Sequence, residues 1–89
     1  MNKKEEINEM LKQKGQSSLF ADGYDEAILG ADTISGRIIY SVQKCYEVLI
    51  KRDGMSYEEA VEFFAFNTLG AYMGNETPIW CYDLWEEQE

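Results

Sequence analysis

Four carboxylates between residues 22 and 32 are the first side chains whose types and spacing suit chemistry. Asp22, Asp25, Glu26 and Asp32 are of the kind that hold Mg²⁺ or Ca²⁺ or share a proton as an acid/base pair. Their spacing does not match an EF-hand loop, and Asp in a turn routinely accepts hydrogen bonds from its own backbone, so the turn reading outweighs the metal reading. A second set, Arg37, Tyr40 and Lys44, with Tyr46, Lys51 and Arg52 further on, would suit an anionic ligand such as a nucleotide. Most other chemistries are excluded by what is missing. The chain has no His, which removes Ser-His-Asp and Cys-His pairs and every imidazole metal ligand. Its glycines form neither a P-loop nor a dinucleotide fingerprint. Cys45 and Cys81 lack the CxxC context of a metal or redox site and read as small apolar side chains. The expectation is a protein that is not an enzyme and carries no cofactor or metal.

Charge narrows the partner. The net charge is −9 over 89 residues, and residues 1–14 contribute +1, which leaves −10 on the remainder. Such a body repels a phosphate backbone and is drawn to basic surfaces, so a basic protein is the expected partner, and direct contact with nucleic acid is disfavoured. No apolar run approaches the ~18 residues that a membrane span requires, and the Lys- and Glu-rich start carries no apolar leader. The expected setting is a reducing cytoplasm.

The elements that must position these side chains follow from periodicity. Hydrophobic residues are 45% and aromatics 13%, enough for one small core in a single domain. Residues 2–14 carry Ile7, Met10 and Leu11 on one side of a narrow amphipathic helix that stops at Gly15. Residues 27–31 and 37–41 are β-rich runs around Asp32, Thr33, Ile34, Ser35 and Gly36, a hairpin with Gly36 at the positive-φ position. Ser41 caps a helix over 42–52 whose buried stripe is Val42, Cys45, Tyr46 and Leu49, and Gly54 ends it. Ser56 and Glu59 form a capping box that starts a helix over 56–72. Two adjacent apolar rows on that helix, Tyr57, Ala60, Val61, Phe64 and Thr68 beside Phe63, Phe66 and Gly70, predict that it is largely buried. Pro78 precedes a third strand over 79–83, with Trp80 and Tyr82 on one face. The fold expected is α+β: a small three-stranded antiparallel sheet packed against two helices, with a peripheral N-terminal helix. It divides into a helix and linker over 1–18, a domain over 19–85 and an acidic tail over 86–89.

Within this frame three stretches carry a resemblance. They are Asp22, Gly23, Tyr24, Asp25, Ala27, Ile28, Leu29 and Gly30; then Tyr40, Lys44, Cys45, Glu47 and Leu49; then Met55, Ser56, Glu58, Glu59, Ala60, Glu62, Phe63, Phe64, Phe66 and Asn67, continuing through Gly70, Ala71, Tyr72, Gly74, Thr77, Pro78 and Ile79. Together they resemble a set of short, acidic, mostly uncharacterised proteins of tailed bacteriophages, over about residues 20–80. The resemblance implies an accessory factor that binds and disables a host protein, including defence nucleases, in the bacterial cytoplasm. The residues expected to meet that partner are Asp22, Tyr24, Asp25, Glu26, Glu58, Glu62, Trp80, Tyr82 and Trp85. The alternative is a protein that binds or sequesters a small anion through Arg37, Tyr40 and Lys44, with a homo-oligomer as the means of completing the site.

Overall fold

The structure, a computed structural model, describes residues 2–16, 18–69 and 74–83. Its elements are α1 (Lys3–Gln13), a 3₁₀ turn (Asp25–Ala27), β1 (Ile28–Ala31), β2 (Ile38–Ser41), α2 (Val42–Asp53), α3 (Tyr57–Phe64), a π-helical turn (Ala65–Leu69) and β3 (Ile79–Cys81). Residues 70–72 of the expected third helix, together with Trp85 and the acidic tail, lie outside the described residues. The fold is α+β, with one three-stranded sheet in the order β1-β2-β3.

Local signals account for the helix ends. The Asn2 side chain accepts from the Glu5 N–H at 2.9 Å while Glu5 accepts from the Asn2 N–H at 3.2 Å, a capping box that starts α1. Ser41 Oγ accepts from the Lys44 N–H at 3.0 Å and starts α2. Gly54, at φ +72°, ends it: its N–H reaches the Ile50 carbonyl, and the Met55 N–H reaches the Leu49 carbonyl. The Ser56 and Glu59 capping box forms with bonds of 3.1 and 2.8 Å and starts α3.

The hairpin closes through Asp32. Its Oδ2 accepts from the Ser35 N–H at 2.7 Å and the Ile34 N–H at 3.1 Å, and Gly36 takes φ +77°. The same Ser35 hydrogen bond holds the Asp32 carboxyl below its ordinary range. Pairing of β1 with β2 is antiparallel, with a bulge at Leu29 between the Ile28–Tyr40 and Gly30–Ile39 partners.

The expected all-antiparallel sheet is corrected by β3, which runs parallel to β2 with Ile39, Tyr40 and Ser41 opposite Ile79, Trp80 and Cys81. A chain returning to lie parallel needs a long crossover, and the connection through α2 and α3 supplies one. Period-two alternation tells which face of a strand is buried but not which way it runs.

The core lies between the sheet and the two helices. All four residues of the expected α2 stripe, Val42, Cys45, Tyr46 and Leu49, are buried, and Leu11 of α1 reaches the same core. The expectation of a largely buried α3 does not hold. Ala60 and Phe64 are fully buried, but Tyr57, Phe63 and Phe66 are 55%, 39% and 85% exposed. Phe64 faces the sheet, Phe66 faces water, and Tyr57 and Phe63 lie between the two.

Candidate functional site

The acidic stretch is a structural turn anchored on both sides. Tyr24 is buried, with its ring edge-on to Phe64 at 5.9 Å and to Trp80 at 6.4 Å, while Asp22 and Glu26 are exposed and Asp25 is half-buried. Gly23, at φ +87°, turns its carbonyl to Arg52, whose Nη1 donates at 2.9 Å. Arg52 also grips Asp53, Nε to Oδ1 at 2.9 Å and Nη2 to Oδ2 at 3.0 Å, which raises the guanidinium pKa and lowers that of the carboxyl. A groove of about 470 Å³ runs between Asp25, Glu26, Val48 and Lys51 beside this clasp. Among the described residues no group of three or more His, Cys, Asp or Glu side chains is placed to hold a metal ion.

The anion-binding set does not converge. Arg37 Nε donates to the Thr77 carbonyl at 2.6 Å and so ties β2 to the segment before β3. Tyr40 is buried, its hydroxyl oxygen accepts from the Ala21 N–H at 2.7 Å, and burial pushes its pKa up to about 12. Lys44 stands in solvent on the first turn of α2. Neither groove is lined by Arg37, Tyr40 or Lys44, whereas Lys51 and Arg52 of the wider set line the groove beside Asp25 and Glu26, where carboxylates face them.

Around Cys45 the chemistry is that of a core. Burial, reinforced by the Asp83 charge, pushes the thiol up to about 12 and keeps it in the neutral form. Asp83 in turn accepts from Ser41 Oγ at 2.8 Å, so the α2 cap also holds the end of the β3 segment. Trp80 is half-buried, 5.0 Å from the Tyr40 ring and 5.2 Å from Phe64, while Tyr82, just past β3, is 67% exposed.

The surface that stands out is at the α2–α3 corner. Asp53, Met55, Glu59, Glu62, Phe63 and Phe66 line a groove of about 560 Å³. Of the expected partner residues that are described, only Glu62 lines it; Glu58 is exposed on the first turn of the same helix. The rest of the groove was not expected from the sequence, though a signal was present. Glu59, Glu62, Phe63 and Phe66 fall at i, i+3, i+4 and i+7, which puts two carboxylates and two phenyl rings on one helix face. The backbone then widens into the π turn, and Asn67 Nδ2 donates to the Phe63 carbonyl at 3.0 Å, satisfying a group that the changed pairing disturbs. The arrangement offers flat apolar rings flanked by negative charge, which is a means of recognition.

No family model matches the chain, and no curated protein and no solved structure is significantly similar to it.

Proposed function

We propose that this chain is an interaction protein that binds a basic surface of a host protein and blocks it, as an accessory factor of a tailed bacteriophage would. The observation that carries the reading is the pairing of Phe63 and Phe66, 39% and 85% exposed, with Glu59 and Glu62 along α3 and the π turn that continues it. A net charge of −9 steers the chain toward cationic surfaces over distances of about a Debye length, roughly 8 Å at physiological salt. Exposed aromatics then supply contact energy that charge in water does not, since ring burial dominates the few residues that carry most interfaces. A protein surface that ordinarily holds nucleic acid is basic and partly apolar, and therefore fits both features.

Immobilised protein incubated with bacterial lysate at low salt is expected to retain a basic protein and to release it as salt rises. Purified, that protein should lose its nucleic acid when the acidic chain is added, read as a fall in fluorescence anisotropy of a labelled oligonucleotide. Retention of no basic protein from several bacterial hosts would sink the reading, and a retained protein whose nucleic acid stays bound would remove the inhibitory part.

A further inference from the structure

We propose that the α2–α3 groove is the docking site for an arginine-bearing segment of the partner, with a guanidinium stacked on Phe66 and paired to Glu62. The inference rests on the reading of the chain as a binder of basic proteins and assigns that binding to one place.

Three observations converge there. Phe66 is 85% exposed, so its ring lies mostly in water and adds little burial to the core, and Phe63 beside it is 39% exposed. Among the described residues that line the groove there is no Lys or Arg; Asp53 is already paired with Arg52 and Glu59 accepts from the Ser56 N–H, so Glu62 is the carboxylate there left to meet a cation. The groove is shallow and open to solvent, a shape that takes a side chain laid along the surface rather than an enclosed small molecule. An occupant must therefore be cationic and also able to cover a phenyl face. Arginine meets both needs with one group: its planar guanidinium stacks on aromatic rings, gives up hydration more readily than an ammonium, and donates two parallel hydrogen bonds to a carboxylate. A neighbouring aliphatic side chain of the same segment would cover Met55 and Phe63.

Other occupants fit less well. A second copy of this chain docked face to face would bring Glu59 and Glu62 against themselves, within a molecule of net charge −9. A nucleic acid strand could stack its bases on the rings, but its phosphates would meet the carboxylates.

The test uses the whole chain, ¹⁵N-labelled, titrated with a short synthetic peptide of arginine and leucine, and with counterparts in which lysine or glutamate replaces arginine. The arginine peptide is expected to shift the amides of Asp53, Met55, Glu59, Glu62 and Phe66, and to bind more tightly than the lysine peptide. The glutamate peptide should leave the spectrum unchanged. Phe66→Ser and, separately, Glu62→Gln should each weaken the arginine peptide about tenfold or more. Both positions are exposed, so the spectrum of each free variant should otherwise match the parent. Equal binding of arginine and lysine peptides, shifts centred on residues 22–26, or a Phe66→Ser variant that binds as the parent does would each overturn the assignment. So would sedimentation showing a dimer that Phe66→Ser dissolves, because the face would then belong to a second copy. Lysate capture separates this inference from its premise: a basic protein retained equally by the parent and Phe66→Ser leaves the binder and removes the groove. Capture of nothing removes both.

Discussion

Phe63 and Phe64 are neighbours on α3 with opposite surroundings. Phe64 is fully buried, and its ring meets Tyr24, Tyr46 and Trp80 edge-on at 5.9, 5.7 and 5.2 Å. Phe63 and Phe66 point the other way, into a groove shared with carboxylates. Residue type is the same and sequence position nearly so; the difference lies in helix phase. On one face Phe64 holds the sheet to the helices, and on the other Phe63 is only partly covered and Phe66 buries almost nothing. Aromatic content alone therefore overstates this core, because part of it lies on the surface.

The largest test of the contrast is truncation of the buried ring. Phe64→Ala is expected to cost about 3–5 kcal/mol in urea unfolding, a figure that includes the cavity left among three aromatic neighbours. For a domain of this size that is a large part of the whole stability. A cost under about 1 kcal/mol would break the division into core face and surface face.

Alkaline pH probes the buried side by another route. Tyr40 and Cys45, ordinarily near 10.0 and 9.0, are each pushed up to about 12 by burial, and Tyr46 is shifted the same way. Neutral phenol and thiol are thus favoured in the folded chain, and the unfolded chain loses these protons first as pH rises. Stability from these groups is intact below about pH 9 and declines between about pH 9 and 12. The urea midpoint should follow that course, and Cys45→Ala should delay the start of the decline. A midpoint flat up to pH 12 would count against a sealed core.

How much of this arrangement is legible in the sequence depends on how local each cause is. The capping residues Ser41 and Ser56, the stop at Gly54, the Asp32 turn and the α2 stripe act within one or two turns of chain, and all are read directly from spacing. The Asn2 cap is equally local, although the helix it starts is recognised more readily by its apolar stripe than by its capping box. Strand direction is not local: β3 reaches its place through a crossover, and nothing in Ile79, Trp80 and Cys81 records the sense of the chain. The hydrogen bond from Ala21 to the Tyr40 hydroxyl likewise joins residues that no motif links. On α3 the difficulty is different. Two adjacent rows are both aromatic, so hydropathy marks a wide arc, and only the carboxylates Glu59 and Glu62 on the Phe63 and Phe66 row show which half faces water. Charge placement was the better guide there than hydropathy.

A smaller effect falls on both faces at once. The Ser56 and Glu59 capping box fixes where α3 begins and hence the phase of every ring on it. Ser56→Ala removes the acceptor of the Glu59 N–H bond and should cost about 1 kcal/mol. Circular dichroism and urea unfolding would show a small loss of helix with the fold retained, and Ser56→Asp, which restores the cap, should recover most of it.

The smallest effect sharpens the comparison most. Phe66→Ser should change stability by no more than about 0.5 kcal/mol in either direction, because a side chain 85% exposed buries almost nothing on folding. The contrast with Phe64→Ala would then be several-fold between two phenylalanines less than a turn apart. A loss of more than about 1 kcal/mol in Phe66→Ser would mean that its ring packs in solution against something beyond the described residues. The surface face would then be part of the fold. With stability unchanged, any loss of binding in the same variant must come from the partner contact itself, and α3 would be a helix with one face for folding and one for recognition.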